Sequence, residues 1–216
     1  MSAREVILQR IEDALALSQR EPAGEPPRDY IREGQFPPGA PEVIEDLVEK
    51  LEDYTAVVVK TNEAGIADAI DNFLDDVTEV VVPSGLAQDW KEAARRKGRH
   101  VQEDSREQAL GNYDLDKVDA VVTASRVAIS MSGTIILDGE PDQGRRAITL
   151  VPDTHVIVLY AKDVYPTVSQ AVTVLNEHPT RPITWIAGPS ATSDIELVRV
   201  DGVHGPRNLR VIIVND

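Results

Sequence analysis

Four short strand-like runs, Tyr54 to Val59, Glu79 to Val82, His100 to Gln102 and Val118 to Thr123, the first of them almost continuously apolar, alternate with stretches whose apolar residues recur every three or four positions. A run that is apolar at consecutive positions suits a strand buried on both faces, because neither face can afford to meet water. The intervening sets, Val43, Leu47, Val48 and Leu51, then Ile66, Ala69, Ile70 and Phe73, then Leu86, Trp90, Ala93 and Ala94, each line one side of a helix. Strand and helix alternating across short turns leave few architectures open. The pattern predicts an α/β fold, a mainly parallel central sheet flanked by helices on both faces.

Beyond Ala124 the rhythm changes. Gly133 to Asp138, Ala147 to Val151 and His155 to Tyr160 place three strand-like runs too close together for helices between them. Asp163 is then expected to cap a helix carrying Val164, Val168, Ala171, Val172 and Leu175, with Pro166 in its first turn. Ile183 to Ala187 reads as a strand stopped by Gly188-Pro189. The runs Ile195 to Val200 and Leu209 to Val214 flank the turn Gly202-Val203-His204-Gly205-Pro206, which predicts a C-terminal β-hairpin returning His204 near a sheet edge.

At the other end, Ser2 and Glu5 have capping-box spacing, and Ile7, Leu8, Ile11 and Leu15 share one face, so an amphipathic helix should run to about Ser18. Glu21 to Pro41 is rich in Pro, Gly and charge and reads as an extended connector. The expected organisation is therefore an N-terminal helix and connector over 1–40 and a single α/β domain over 41–216. The tethered helix can cover its own domain or a second copy, which leaves a homo-oligomer open.

Charge narrows the partners. Lys and Arg total 22 against 37 Asp and Glu, a formal net charge of −15, so nucleic acid and anionic membrane surfaces are repelled. The basic cluster Arg95-Arg96-Lys97-Gly98-Arg99 falls where a helix should end, a favourable place for cations. The 216 residues contain no cysteine, which removes disulfides, thiol nucleophiles, cysteine-held zinc and the usual ligands of an iron–sulfur cluster. No apolar run reaches the ~20 residues of a membrane span and the first residues lack a secretion pattern, so a cytoplasmic setting is expected.

Several motifs could carry chemistry. Ser130-Met131-Ser132-Gly133-Thr134 could turn backbone N–H groups toward an anion, or be a plain turn. Gly144-Arg145-Arg146 offers guanidinium for a carboxylate or phosphate, with a surface salt bridge as the alternative. His155 can act as a base or a hydrogen-bond donor, or simply begin a strand. From Ser190 to Glu196 almost every position is a hydroxyl or carboxylate, just past a strand end, where ligands gather in open α/β sheets. His155, His204, Asp194 and Glu196 lack metal-ligand spacing, so no metal is expected. Phosphate-loop, dinucleotide and serine-elbow motifs are absent, which disfavours an ATPase, a simple NAD dehydrogenase and a serine hydrolase.

The sequence Gly188-Pro-Ser-Ala-Thr-Ser-Asp-Ile-Glu196, followed by Gly202-Val-His-Gly-Pro206 and the terminal run Leu209 to Val214, resembles the carboxy-terminal signature of the LUD domain family, which includes the lactate-utilization protein C group. The resemblance implies a NagB/RpiA/CoA-transferase-like fold. It also implies a part in oxidising L-lactate to pyruvate with iron–sulfur partner proteins, any cluster being carried by those other chains. Gly133, Thr134, Arg146, Pro152, His155, Gly188 to Ser190, Thr192, Asp194 to Glu196, Gly202 and His204 to Pro206 match the family pattern in position. Many relatives carry an acid where this chain has Met131, which argues against a glutamyl nucleophile there.

These readings combine into one expectation. Ser132, Gly133, Thr134, Arg146, Gly188, Ser190 and Thr192 would hold a small carboxylate or other anionic ligand; His155 or His204 would move a proton; Asp194 or Glu196 would orient that histidine. Two rivals accompany it: a stand-alone enzyme on a phosphorylated sugar, folate or CoA thioester, and a non-catalytic assembly factor that recruits partners through its N-terminal arm.

Overall fold

In this computed structural model the described residues are 2–18, 24–192 and 200–215. The chain forms two compact units, Met1–Ile31 and Arg32–Asp216. The first contains helix α1 (Ala3–Leu17), opened by the expected capping box: Glu5 N–H donates to Ser2 Oγ, and Ser2 N–H donates to the Glu5 carboxylate at 2.7 Å. None of its residues is buried.

The second unit starts within the stretch expected to be a free connector. Gly34 N–H donates to Gln170 Oε1 at 3.3 Å and Gly39 N–H to the Val164 carbonyl at 3.0 Å, so backbone hydrogen bonds hold this segment to the domain. Helix α2 (Pro41–Asp53) has proline at its first position, where no N–H is missed, and buries Val43, Ile44, Leu47 and Leu51. Strand β1 (Val57–Thr61) begins later than Tyr54 because the chain must first close the helix: Tyr54 caps α2 and Thr55 takes a φ of 69°.

The predicted alternation then follows: α3 (Ile66–Phe73), β2 (Glu79–Pro83), α4 (Gln88–Ala94), β3 (His100–Asp104), the short α5 (Asn112–Leu115) and β4 (Ala120–Ala124). After it come β5 (Val127–Ile129), β6 (Thr134–Leu137), β7 (Thr154–Tyr160), β8 (Val164–Tyr165), α6 (Val168–Leu175), β9 (Thr184–Ile186), β10 (Ala191–Thr192), β11 (Val200–Asp201) and β12 (Asn208–Val214).

The main sheet runs β1-β12-β7-β4-β2-β3 and all its pairings are parallel. A smaller sheet, β8-β5-β6-β9, carries antiparallel pairs. Side chains alternate across the main sheet. On one face Val156, Val158, Ile212 and Val214 pack with Ile66, Ile70, Trp90 and Ala94 of α3 and α4. On the other, Ile157, Leu159, Val211 and Ile213 pack with Leu47 and Leu51 of α2 and with Ile135 and Leu137 of the smaller sheet.

Two expectations fail locally, and the expected C-terminal antiparallel strands are present but not as the expected pair of runs. Ala147 to Val151 is no strand: Arg146–Thr149 forms a 3₁₀ turn that drops Ile148 among Val81, Leu115, Val118 and Val121. A short apolar run does not distinguish the two. The helix expected from Asp163 begins only at Val168, capped by Thr167 Oγ1 accepting from Gln170 N–H. Proline at 166 disfavours helical geometry for the residue before it, and Val164–Tyr165 instead pairs with β5. Finally, Leu209 to Val214 joins the centre of the main sheet between β1 and β7, as a run buried on both faces should. The C-terminal antiparallel pair is β10 with β11; residues 195–199 lie outside the described residues. Among the described residues no helix is long and apolar enough to cross a membrane.

Candidate functional site

Because β7 and β12 are parallel neighbours in register, with His155 opposite Leu209, the segments entering both strands arrive at the same rim. The 3₁₀ turn Arg146–Thr149 precedes β7, and the turn 202–206 precedes β12. The exit of β9, Gly188 to Ser190, comes alongside and is tied down by backbone. Ser190 N–H donates to the Pro206 carbonyl at 2.9 Å, Gly202 N–H to the Ser190 carbonyl at 2.8 Å, and His204 N–H to Ser190 Oγ at 2.9 Å. Gly188 has φ +86°, and a Cβ there would lie 2.7 Å from Tyr54 Cβ, so only glycine lets the strand exit pass the end of α2.

These segments enclose a pocket of about 150 Å³ lined by Arg146, Thr149, His155, Trp185, Gly188, Ser190, His204 and their neighbours. It lies where β7 and β12 begin, whereas the rule for open α/β sheets places ligands at the strands' carboxyl ends.

His155 is fully buried, its Nε2 2.8 Å from the Thr123 hydroxyl. Burial first, and then the charge of Arg146, push its pKa down to about 3. The imidazole is therefore neutral at physiological pH, and the expectation that His155 moves a proton does not suit its surroundings. His204 is exposed at the pocket mouth.

Arg146 is exposed as a residue, although partial desolvation of its guanidinium lowers its pKa, and a guanidinium stays charged. Its Nη1 donates to Thr149 Oγ1 at 3.0 Å, a neutral partner. Among the described residues no carboxylate forms an ion pair with it. The residue beside it behaves otherwise: Arg145 donates from Nε and Nη2 to the two oxygens of buried Asp104 at 2.8 and 2.5 Å, and to the Leu110 carbonyl at 3.1 Å. Of the Gly144-Arg145-Arg146 motif, one arginine is a structural ion pair and its neighbour faces the pocket.

The structure thus brings together Arg146, His155, Gly188, Ser190 and His204. It does not bring Ser132, Gly133 and Thr134 into the pocket lining. Gly133, at φ +59°, lies so close to α2 that a Cβ would sit 2.8 Å from Lys50 Cβ, and the Ser132 and Thr134 hydroxyls bond each other at 2.9 Å. That bend is a helix-packing turn. Thr192 is on β10 opposite Val200, away from the lining, and Asp194 and Glu196 lie outside the described residues. Thr123, Thr149 and Trp185 were not singled out from sequence. Thr123 had a signal, a hydroxyl inside the otherwise apolar run Ala120 to Ala124; Trp185 had none beyond its type. Among the described residues no group of three His, Asp or Glu is placed to hold a metal ion.

A family model described as the LUD domain matches residues 39–214. The chain is 42% identical over 175 residues to a lactate utilization protein C of Deinococcus radiodurans, covering 80% of each chain. It is 27% identical over 233 residues to the protein of the same name in Bacillus velezensis, covering 99% of this chain and 96% of that one. In structure it is similar to a crystal structure of a DUF162 family protein from Deinococcus radiodurans, with a TM-score of 0.67 and 35% identity over 80% of this chain and 96% of the other.

Proposed function

This chain belongs to the LUD domain family, and from that premise we propose that it serves lactate utilization by binding a small carboxylate of the lactate and pyruvate type in the pocket around Arg146. The observation that carries the reading is Arg146 itself, a pocket-lining cation whose guanidinium is partly desolvated and which has no ion-pair partner among the described residues of a chain with 37 acids and 22 bases. Partial desolvation of a charge without a counter-ion is unfavourable, and an anion bound beside it would offset that cost. The name shared by the relatives points to lactate. The pocket's volume of about 150 Å³ suits an acid of few atoms.

In this reading Arg146 grips the carboxylate, the Ser190 hydroxyl donates to it while accepting from His204 N–H, and neutral His155 meets a second oxygen of the ligand. His204, open to solvent, is the group able to exchange a proton. Oxidising lactate to pyruvate removes two electrons and two protons, and the electrons need an acceptor. An iron–sulfur cluster does not fit this chain's own donors, since it has no cysteine, so such a cluster would belong to cytoplasmic partner proteins.

Calorimetric titration of the full chain with L-lactate and with pyruvate tests the proposal. At least one acid should bind, and Arg146→Gln should weaken it about hundredfold, in line with losing a desolvated charge pair. Absence of binding for both acids, or binding indifferent to Arg146, would overturn it.

A further inference from the structure

The hydrogen bond behind His155 decides which ring nitrogen carries the proton. Thr123 Oγ1 and His155 Nε2 are 2.8 Å apart, and both residues are buried, on β4 and β7. The threonine hydroxyl has one hydrogen to donate, and among the described residues Nε2 is the one partner the side chain has. Were the proton on Nε2, the hydroxyl hydrogen would be left in the core without an acceptor among the described residues, which is unfavourable. With the hydroxyl donating, Nε2 is the acceptor and the ring's proton must sit on Nδ1. A second proton is opposed by burial and by the charge of Arg146.

We infer that Thr123 is a positioning residue that locks His155 as the neutral Nδ1–H tautomer, so that the pocket presents an imidazole donor beside the Arg146 guanidinium. Both groups then offer hydrogens and neither offers a lone pair. The pair suits a ligand that brings two acceptor oxygens on neighbouring carbons, a carboxylate and a carbonyl or hydroxyl. His155 polarises the second oxygen and takes no proton from it. What receives the bond rests on the carboxylate reading above; the tautomer does not.

Long-range proton–nitrogen NMR of the full chain with labelled histidine reads the tautomer directly, without any ligand. The chain has four histidines, and His155→Gln identifies the resonance. The expected spectrum is a single Nδ1–H tautomer, unchanged from about pH 5 to about pH 8. An Nε2–H tautomer, a mixture, or a titration in that range would overturn the inference. Thr123→Ser should keep the signature, and Thr123→Val should lose it and weaken pyruvate binding about tenfold, the effect of one hydrogen bond. A folded Thr123→Val protein with an unaltered tautomer removes Thr123 from the role. If that variant does not fold, the wild-type spectrum with Thr123→Ser still decides. Absence of carboxylate binding together with the expected spectrum sinks the proposed function alone.

Discussion

The basic ridge at the end of α4 and the pocket at the start of β7 use the same kind of side chain in opposite ways. On the ridge every cation is matched: Arg95 to Glu103 at 3.0 Å, Arg96 to Asp68 at 2.6 Å, Lys97 to Asp75 at 2.5 Å and to Asp71 at 3.3 Å. Arg99, buried, pairs with Asp71 and donates to the carbonyls of Leu74, Ala93 and Ala94. In the pocket Arg146 has a threonine for a partner and, among the described residues, no acid. Density of positive charge along a chain therefore says little about where an anion binds. The cation without a counter-ion among the described residues is the informative one, because no ion pair there offsets its partial desolvation.

That contrast can be broken first at Arg99. Arg99→Gln leaves Asp71 and three carbonyls short of their donor, and denaturant unfolding should show a loss of about 3–4 kcal/mol; a loss within error would make the ridge ordinary surface. The same substitution at Arg146 should leave the unfolding midpoint unchanged or higher while weakening carboxylate binding about hundredfold. Arg145→Gln, one residue away, should do the reverse: about 2–3 kcal/mol of destabilisation from orphaning Asp104, with ligand affinity within about twofold of the parent.

A pH profile sharpens the pocket side. The unfolded chain protonates His155 near 6.5 and the folded chain only at about 3, so between those values the unfolded state binds the extra proton. Stability should fall as pH is lowered through this window, approaching about 1.4 kcal/mol per pH unit, and be flat in this contribution above it. The lowered pKa values of Asp71, Asp76, Glu103 and Asp119, held by Arg99, Arg210, Lys91 and backbone amides among others, act in the same direction with pH but at more acid pH. Their stabilisation is lost below about 4. Equilibrium unfolding of His155→Gln between pH 4.5 and 6.5, in steps of about half a unit, should therefore show the slope removed. The smallest effect is expected at the strand exit: Gly188→Ala, forced to φ +86° against Tyr54, should lower stability by about 1–2 kcal/mol and loosen the pocket.

Much of the fold was legible before any coordinates. Consecutive apolar residues at 80–82 and 120–122 and the helical spacing of Ile66, Ala69, Ile70 and Phe73 report burial directly, and Ser2 with Glu5 announces a helix start through contacts within one turn. Where the reading failed, the deciding contact was distant. Ala147 to Val151 has strand-like composition, yet Ile148 is drawn into a cluster built from Val81, Leu115, Val118 and Val121. The Ser132-Gly133-Thr134 bend looks like an anion cradle locally and is a packing turn because Lys50 of α2 occupies the space beside it.

The chain's order of residues determined by itself the α/β class, the acidic surface, the want of thiol ligands and the residue types from which a carboxylate pocket could be assembled, because those follow from local periodicity and side-chain chemistry. Tertiary structure alone decided that Arg145 meets Asp104 while Arg146 does not, that His155 lies against Thr123 and is neutral, and that the turns before β7 and β12 share one rim. Each of these depends on residues far apart in sequence being placed within a hydrogen bond's length by the parallel register of strands, and pairing at that range leaves no trace in the local pattern.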